Sequence, residues 1–82
     1  MSEKKYIQLD GAKVQEKGGS EKGVWIEVSI FTEETGDIEL RDIFFPYSQI
    51  KIDKENEIWV TDWILGEKEK DKLKEGEGIL TQ

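Results

Sequence analysis

The sequence predicts a mainly β fold: about five short strands in an antiparallel meander or small barrel, with one short helix near the C-terminus. Three observations carry this. Several short runs alternate apolar and polar residues with a period of two, as half-buried strands do. The polar stretches between them are of hairpin length, which favours antiparallel neighbours. No long helical period and no repeat of about 20–50 residues is present.

Residues 6–14 read as extended, with Tyr6, Gln8 and Asp10 on one side and Ile7 and Leu9 opposite. Ala12 and Val14 keep the two-residue spacing past Asp10-Gly11, so a bent or bulged strand is expected there. Residues 16–23, EKGGSEKG, form a mobile loop on composition. Residues 24–31 are the strongest strand. Val24, Ile26, Val28 and Ile30 make a β-branched core face, and Trp25, Glu27, Ser29 and Phe31 the other. Residues 32–37, TEETGD, close a hairpin with Gly36 available for a positive φ.

Residues 38–45 return as a strand. Ile38 and Leu40 share a parity, but the apolar bulk then shifts to Ile43 and Phe45, so a bulge near Arg41-Asp42 is expected. Pro46 lacks an N–H and belongs at a strand end. Ile50 and Ile52 flank Lys51, and Ile58 and Val60 flank Trp59, which gives a second hairpin over the polar residues 53–57. Trp63, Ile64 and Leu65 break the alternation and suggest a helical turn lidding the sheet, capped by Thr61 or Asp62 and ended by Gly66. Residues 67–75 hold one apolar residue, Leu73, and residues 76–82 end in Ile79 and Leu80, candidates for an edge strand. The chain is thus read as a single small β domain, 1–82, with 67–82 a charged helix or a flexible tail whose removal costs little stability. Residues 1–3 are expected to fray.

Composition narrows the rest. The chain has 82 residues, of which 35% are hydrophobic and 38% charged. The core must therefore be small, and is expected to draw on the aromatic and β-branched residues. There is no cysteine, so disulfides and thiolate metal sites are excluded. No apolar run approaches a membrane span, and MSEKKYIQLD has no signal-peptide core, so a cytoplasmic location is expected.

Net charge is −7. Residues 33–42 hold Glu33, Glu34, Asp37, Glu39 and Asp42 against Arg41, and residues 53–62 hold Asp53, Glu55, Glu57 and Asp62 against Lys54. Together these two windows account for the whole net charge. Solubility and protection of sheet edges explain such windows plainly. The sharper reading is an acidic face for a basic partner, with the two loops adding into one field if strands 38–45 and 58–61 lie near each other.

Catalysis has little to stand on. Histidine and cysteine, the commonest base and the thiolate nucleophile, are both absent. Ser48 has no G-x-S-x-G around it and reads as a turn serine. Asp53-Lys54-Glu55-Asn56-Glu57 lacks the ligand spacing of a calcium loop and reads as a charged hairpin. No catalytic residue, metal or cofactor is expected. Single-stranded nucleic acid would need cations beside stacking rings. Lys4, Lys5, Lys13, Lys17 and Lys22 offer a local patch, but the overall field has the wrong sign. Trp25 and Trp59 lie opposite the aliphatic parity of their strands. They are either exposed contact residues or packed beneath Trp63 under a helical lid.

Residues 44–68, FFPYSQIKIDKENEIWVTDWILGEK, resemble the C-terminal signature of small phage and prophage proteins. That signature reads W-x-P-K-S-Q-[IV], a short acidic loop, then [IV]-x-[IV]-P-x-W-[LI] and a charged end. The matching residues are Pro46, Ser48, Gln49, Ile50, Ile58, Val60, Asp62, Trp63 and Ile64. Phe44, Tyr47 and Thr61 depart from the family's tryptophan, lysine and second proline. The upstream YIQLDGAKVQEK resembles the family's start more loosely. The resemblance implies a phage or mobile-element accessory protein, often encoded among early replication or recombination functions, and it transfers no catalytic residue.

The expected function is non-enzymatic binding of a protein partner, as in an acidic inhibitor of a host nucleic-acid enzyme such as a restriction or CRISPR nuclease. Trp25, Trp59, Glu33, Glu34, Asp37, Asp53, Glu55 and Glu57 are the expected contact residues. The alternative is a small β-barrel that binds single-stranded nucleic acid in phage replication or recombination.

Overall fold

A computed structural model of the chain describes residues 4–16 and 20–82. The expected fraying of residues 1–3, Lys17 of the basic patch, and the centre of the expected mobile loop lie outside them.

The fold is mainly β, in two antiparallel sheets with one helix. The strands are β1 (Tyr6–Gln8), β2 (Lys13–Val14), β3 (Gly23–Thr32), β4 (Ile38–Pro46), β5 (Ile50–Ile52), β6 (Ile58–Thr61) and β7 (Glu77–Ile79). A 3-10 turn, Tyr47–Gln49, links β4 to β5, and α1 (Asp62–Lys72) follows β6 directly. The smaller sheet has the order β1-β6-β5. In the larger, β3 is central, with β4 along one side and β2 and β7 sharing the other.

The core forms where the inner faces of the two sheets meet. Val24, Ile26, Val28 and Ile30 are buried as their parity requires, against Ile43 and Phe45 of β4 and Ile58 and Val60 of β6. Leu9, Ile50, Ile64, Leu65 and Ile79 complete it. The expected aromatic share is not there: Phe45 is the single buried ring, and the other aromatic side chains lie on the outer faces or at the core's rim.

The bent strand expected at residues 6–14 is two strands in two sheets. Gly11, at φ +68°, makes the corner between them. Gly36, at φ +74°, closes the β3–β4 hairpin, where the Gly36 N–H donates to Thr32 O at 2.7 Å. Asn56, at φ 64°, plays the matching part in the β5–β6 hairpin.

No bulge interrupts β4. Its register against β3 runs without a break from Gly23↔Pro46 to Phe31↔Ile38. Cross-strand partners share a face. Arg41 and Glu39 therefore stand on the inner side opposite Val28 and Ile30, while Ile38 and Leu40 point outward, each 60% exposed. The apparent parity slip in the sequence is an uncovered face, not an extra residue.

Helix α1 runs three turns, and Gly66 lies within it instead of ending it. Thr61, 3% exposed, is the N-cap. Its Oγ1 accepts from the Ile64 N–H at 3.2 Å and donates to Gln49 Oε1 at 2.7 Å, which ties the 3-10 turn to the helix start. Ile64 and Leu65 plug the core, but Trp63 is 62% exposed and lids nothing.

The last residues are structural. Ile79 of β7 is buried opposite Ile30. Beyond it, the Leu80 N–H donates to Ser29 O at 2.9 Å and the Leu80 carbonyl accepts from the Asp10 N–H at 3.1 Å. Thr81 bridges Leu9, and the Gln82 N–H donates to Gln8 O at 2.9 Å. The run 77–82 therefore sews the larger sheet to the smaller. The expectation that residues 67–82 are dispensable is corrected by these contacts.

Candidate functional site

Three outward surfaces carry six of the eight aromatic side chains. The first is the outer face of the smaller sheet. Alternation puts Tyr6, Gln8, Lys51 and Trp59 there, because Tyr6 pairs with Thr61, Gln8 with Trp59, and Lys51 with Trp59 from the other side. Lys51 Nζ stands 4.3 Å from the centroid of the Tyr6 ring. Trp59 is half-buried and its indole N–H donates to Asp53 Oδ2 at 3.3 Å. Tyr6, Lys51, Ile52, Asp53 and Trp59 line a groove of about 420 Å³.

Asp53 is the staple of the β5–β6 hairpin. Its Oδ1 accepts the backbone N–H groups of Glu55 and Glu57, both at 2.9 Å. Desolvation works to raise its pKa, but the hydrogen bonds from Glu57, Trp59 and Glu55 outweigh this and hold the carboxyl below its ordinary value. Glu57 Oε2 accepts from Gln8 Nε2 at 2.6 Å. Of the expected contact residues, Asp53, Glu55, Glu57 and Trp59 are thus brought together, and Asp53 serves to shape the turn.

The second surface is the outer face of the β3–β4 hairpin. At its base Trp25 and Phe44 pack edge to face, centroids 5.6 Å apart, and both are half-buried. A Cβ on Gly23 would fall 2.4 Å from Phe45 O and 2.6 Å from Phe44 Cζ, so only glycine lets the Phe44 ring lie there. Towards the tip come Leu40, Phe31 and Ile38. Gly78 of β7 pairs with Phe31 and adds no side chain beside it. Glu33, Glu34 and Asp37 sit exposed in the hairpin loop at this end.

The two acidic windows belong to different sheets. Strands β4 and β6 are not neighbours, and the run 77–82 spans the interval between the loops, pairing with Thr32 at one end and Gln8 at the other. The inner residues of β4 and β6, Ile43 and Phe45 on one and Ile58 and Val60 on the other, meet in the core.

Under the tip of the second surface lies a clasp that the periodicity of the sequence does not show. Arg41 crosses the inner side of β3 to Glu77, with Nη2 3.2 Å from Oε2, and also donates to Glu39 and to the Lys72 carbonyl at the end of α1. The Glu77 carboxyl is held below its ordinary pKa by the hydrogen bond from Arg41 and then by that from the Lys74 N–H. The pKa of Arg41 is pushed up, first by Glu77 and then by Glu39. Glu69 Oε2 accepts from the Ile79 N–H at 3.0 Å, fixing β7 to the helix. These contacts join β4, β7 and the end of α1.

The third surface is the outward side of α1, where Asp62, Trp63, Gly66, Glu67 and Lys70 line a groove of about 480 Å³.

Of the basic patch, Lys4 and Lys22 both meet the 3-10 turn, where Lys4 Nζ donates to the Ser48 carbonyl at 2.9 Å and the Lys22 carbonyl accepts from the Tyr47 N–H at 3.0 Å, while Lys13 of β2 pairs with Glu27 of β3. Lys51, outside that patch, stands over the Tyr6 ring. Its parity with Tyr6 shows only once β1 and β5 are known to flank β6. Among the described residues no group of three or more carboxylates is placed to hold a metal ion, and no helix is long and apolar enough to cross a membrane. Comparison with family models, curated proteins and solved structures finds no match to this chain.

Proposed function

We propose that this chain is a non-enzymatic accessory protein of a phage or mobile element that acts by binding a protein partner. The observation that carries this reading is the tip of the β3–β4 hairpin, where Ile38 and Leu40 are exposed on the outer face beside Phe31. A contiguous apolar patch left in water on a small domain is characteristic of a contact surface. The acidic loop residues Glu33, Glu34 and Asp37 rim it, and the chain as a whole carries −7. That charge supports a basic-surfaced partner, such as the nucleic-acid site of a host restriction or CRISPR nuclease, with action in the host cytoplasm. The phage assignment is supported by the resemblance of residues 44–68.

The test is capture from host lysate followed by mass spectrometry, comparing the wild type with Ile38→Ser/Leu40→Ser. The reading expects a specific partner retained by the wild type and lost by the double variant at unchanged melting temperature. A partner held equally by both would refute the role of this face.

One observation favours the alternative, binding of single-stranded nucleic acid: Lys51 stands over Tyr6 beside Trp59 on the outer sheet face. A gel shift with single-stranded oligonucleotides at low salt separates the two. Tight, salt-sensitive retardation abolished by Trp59→Ala would favour nucleic acid.

A further inference from the structure

We propose that the outward side of α1 is a second docking surface, going beyond the β4 face, and that it takes an arginine-bearing basic segment of a protein. Two features of this helix are unexplained by the fold. Trp63 is 62% exposed while its neighbours Ile64 and Leu65 are buried, so the largest side chain of the first turn contributes little to the core. Gly66 stands inside the helix, where only proline is a poorer helix former. A Cβ built on Gly66 would meet nothing within 4 Å, and its backbone is not left-handed, so neither packing nor conformation requires a glycine.

Without a side chain, Gly66 keeps this stretch of the helix surface low. Positions 63, 66, 67 and 70 share one helix face by their i, i+3, i+4 and i+7 spacing. The missing side chain leaves the groove beside the indole. Its charged groups are the carboxylates of Asp62 and Glu67 and, at the far end, the ammonium of Lys70.

This chemistry selects its occupant. A guanidinium is planar, stacks on an indole face, and keeps its N–H groups in plane for carboxylates. A phosphate would meet two carboxylates against one ammonium. A second copy of the chain would bring another −7 of net charge. The groove of the smaller sheet fits an arginine less well, because Lys51 already lies on Tyr6 and the Asp53 carboxylate already accepts three N–H groups.

The test is an NMR titration of the whole chain with a short arginine–alanine peptide and its lysine and glutamate counterparts, read at the three tryptophan indole N–H signals. The proposal expects the Trp63 signal to move, the arginine peptide to bind more tightly than the lysine one, and the glutamate peptide not to bind. Trp63→Ala should weaken binding about tenfold or more at an unchanged melting temperature, as an exposed aromatic anchor does. Gly66→Ala should raise the melting temperature, through better helix propensity, and weaken binding because its methyl projects from the floor of the groove. Peptide binding unaffected by Gly66→Ala, or a shift centred on Trp25 or Trp59, overturns the assignment. Concentration-dependent broadening of Trp63 without peptide overturns it in favour of self-association. These readouts do not involve Ile38 or Leu40, so failure here and failure of the β4 face are told apart.

Discussion

The two halves of the β3–β4 hairpin are built on opposite plans. In the basal half, aliphatic residues point inward, Val24 and Ile26 against Phe45 and Ile43, and the outer face carries the Trp25–Phe44 pair. In the half near the tip, β4 turns its polar residues Arg41 and Glu39 inward and its apolar residues Ile38 and Leu40 outward, although the register never slips. The inner side is covered there by a charged clasp, and the outer side is left apolar in water. A strand's pattern thus reports which face is covered at each point along it, and that can change within one unbroken strand.

The sharpest way to break the comparison is Ile26→Asp. Ile26 is fully buried, and an unpaired carboxylate there should abolish folding, whereas Glu27→Lys on the opposite face should be tolerated. Circular dichroism and thermal melts compare them, with Val24→Asp and Ser29→Lys as a second such pair. Equal losses on both faces would overturn the assignment of inside and outside.

Next comes the tail that supports the tip. Deleting residues 77–82 removes Ile79, a buried side chain worth about 1.5–3 kcal/mol, together with the pairing of the two sheets. At roughly 4–8 °C per kcal/mol for a domain of this size, the melting temperature should fall by roughly 10 °C or more. A shift of only a degree or two would show that the sheets hold without it.

At the base, Gly23→Ala should destabilise by about 1–3 kcal/mol through overpacking against Phe44 and the Phe45 carbonyl. Pairing it with Phe44→Leu should recover part of the loss if the ring is what clashes.

The clasp gives a smaller, pH-dependent effect. The carboxyls of Glu77 and Asp53 have pKa values depressed in the folded state. Their contribution is therefore fully present above the ordinary carboxylate range of about 4–4.5, and it is lost as pH falls through the lower folded values. Melting temperature should drop on acidification through that window, and Arg41→Met should lower it by a few degrees at neutral pH and flatten the acid limb. A parallel acid limb in the variant would remove Arg41 as the cause. Smallest of all, Leu40→Ser should change stability by no more than about 0.5 kcal/mol, because the side chain is largely in water already; urea melts measure it.

Much of this was legible from residue order. The face of β3, the glycine of the first hairpin, Pro46 at a strand end and Thr61 as a cap each rest on a local rule. What escaped depends on remote partners. A period-two pattern cannot separate an inserted residue from an uncovered face, so β4 reads as bulged. The clasp joins Arg41 and Glu77, 36 positions apart. Helix α1 buries only Ile64 and Leu65, both near its start, so its remaining length shows no apolar stripe and Gly66 reads as a stop. An edge strand at Ile79 and Leu80 was legible from those two residues, but its place beside β3 was not. At the candidate sites, Trp59 and Asp53 are each visible, but the indole–carboxylate bond that makes them one unit is not.

The sewing of the two sheets by residues 77–82 has a consequence for how the chain reaches its native state. Gln82 bonds Asp10 across a separation of 72 positions, and β7 docks on β3 after the helix and three further strands have been made. Such distant closures are slow to find, because the entropy of a long loop must be lost before the contacts form. During synthesis the β3–β4 hairpin emerges before β5, β6, α1 and β7, and its aliphatic face cannot be fully covered until Ile79 has left the ribosome. Like charges in the acidic loops at the hairpin ends would oppose the approach of two copies while the core is still open.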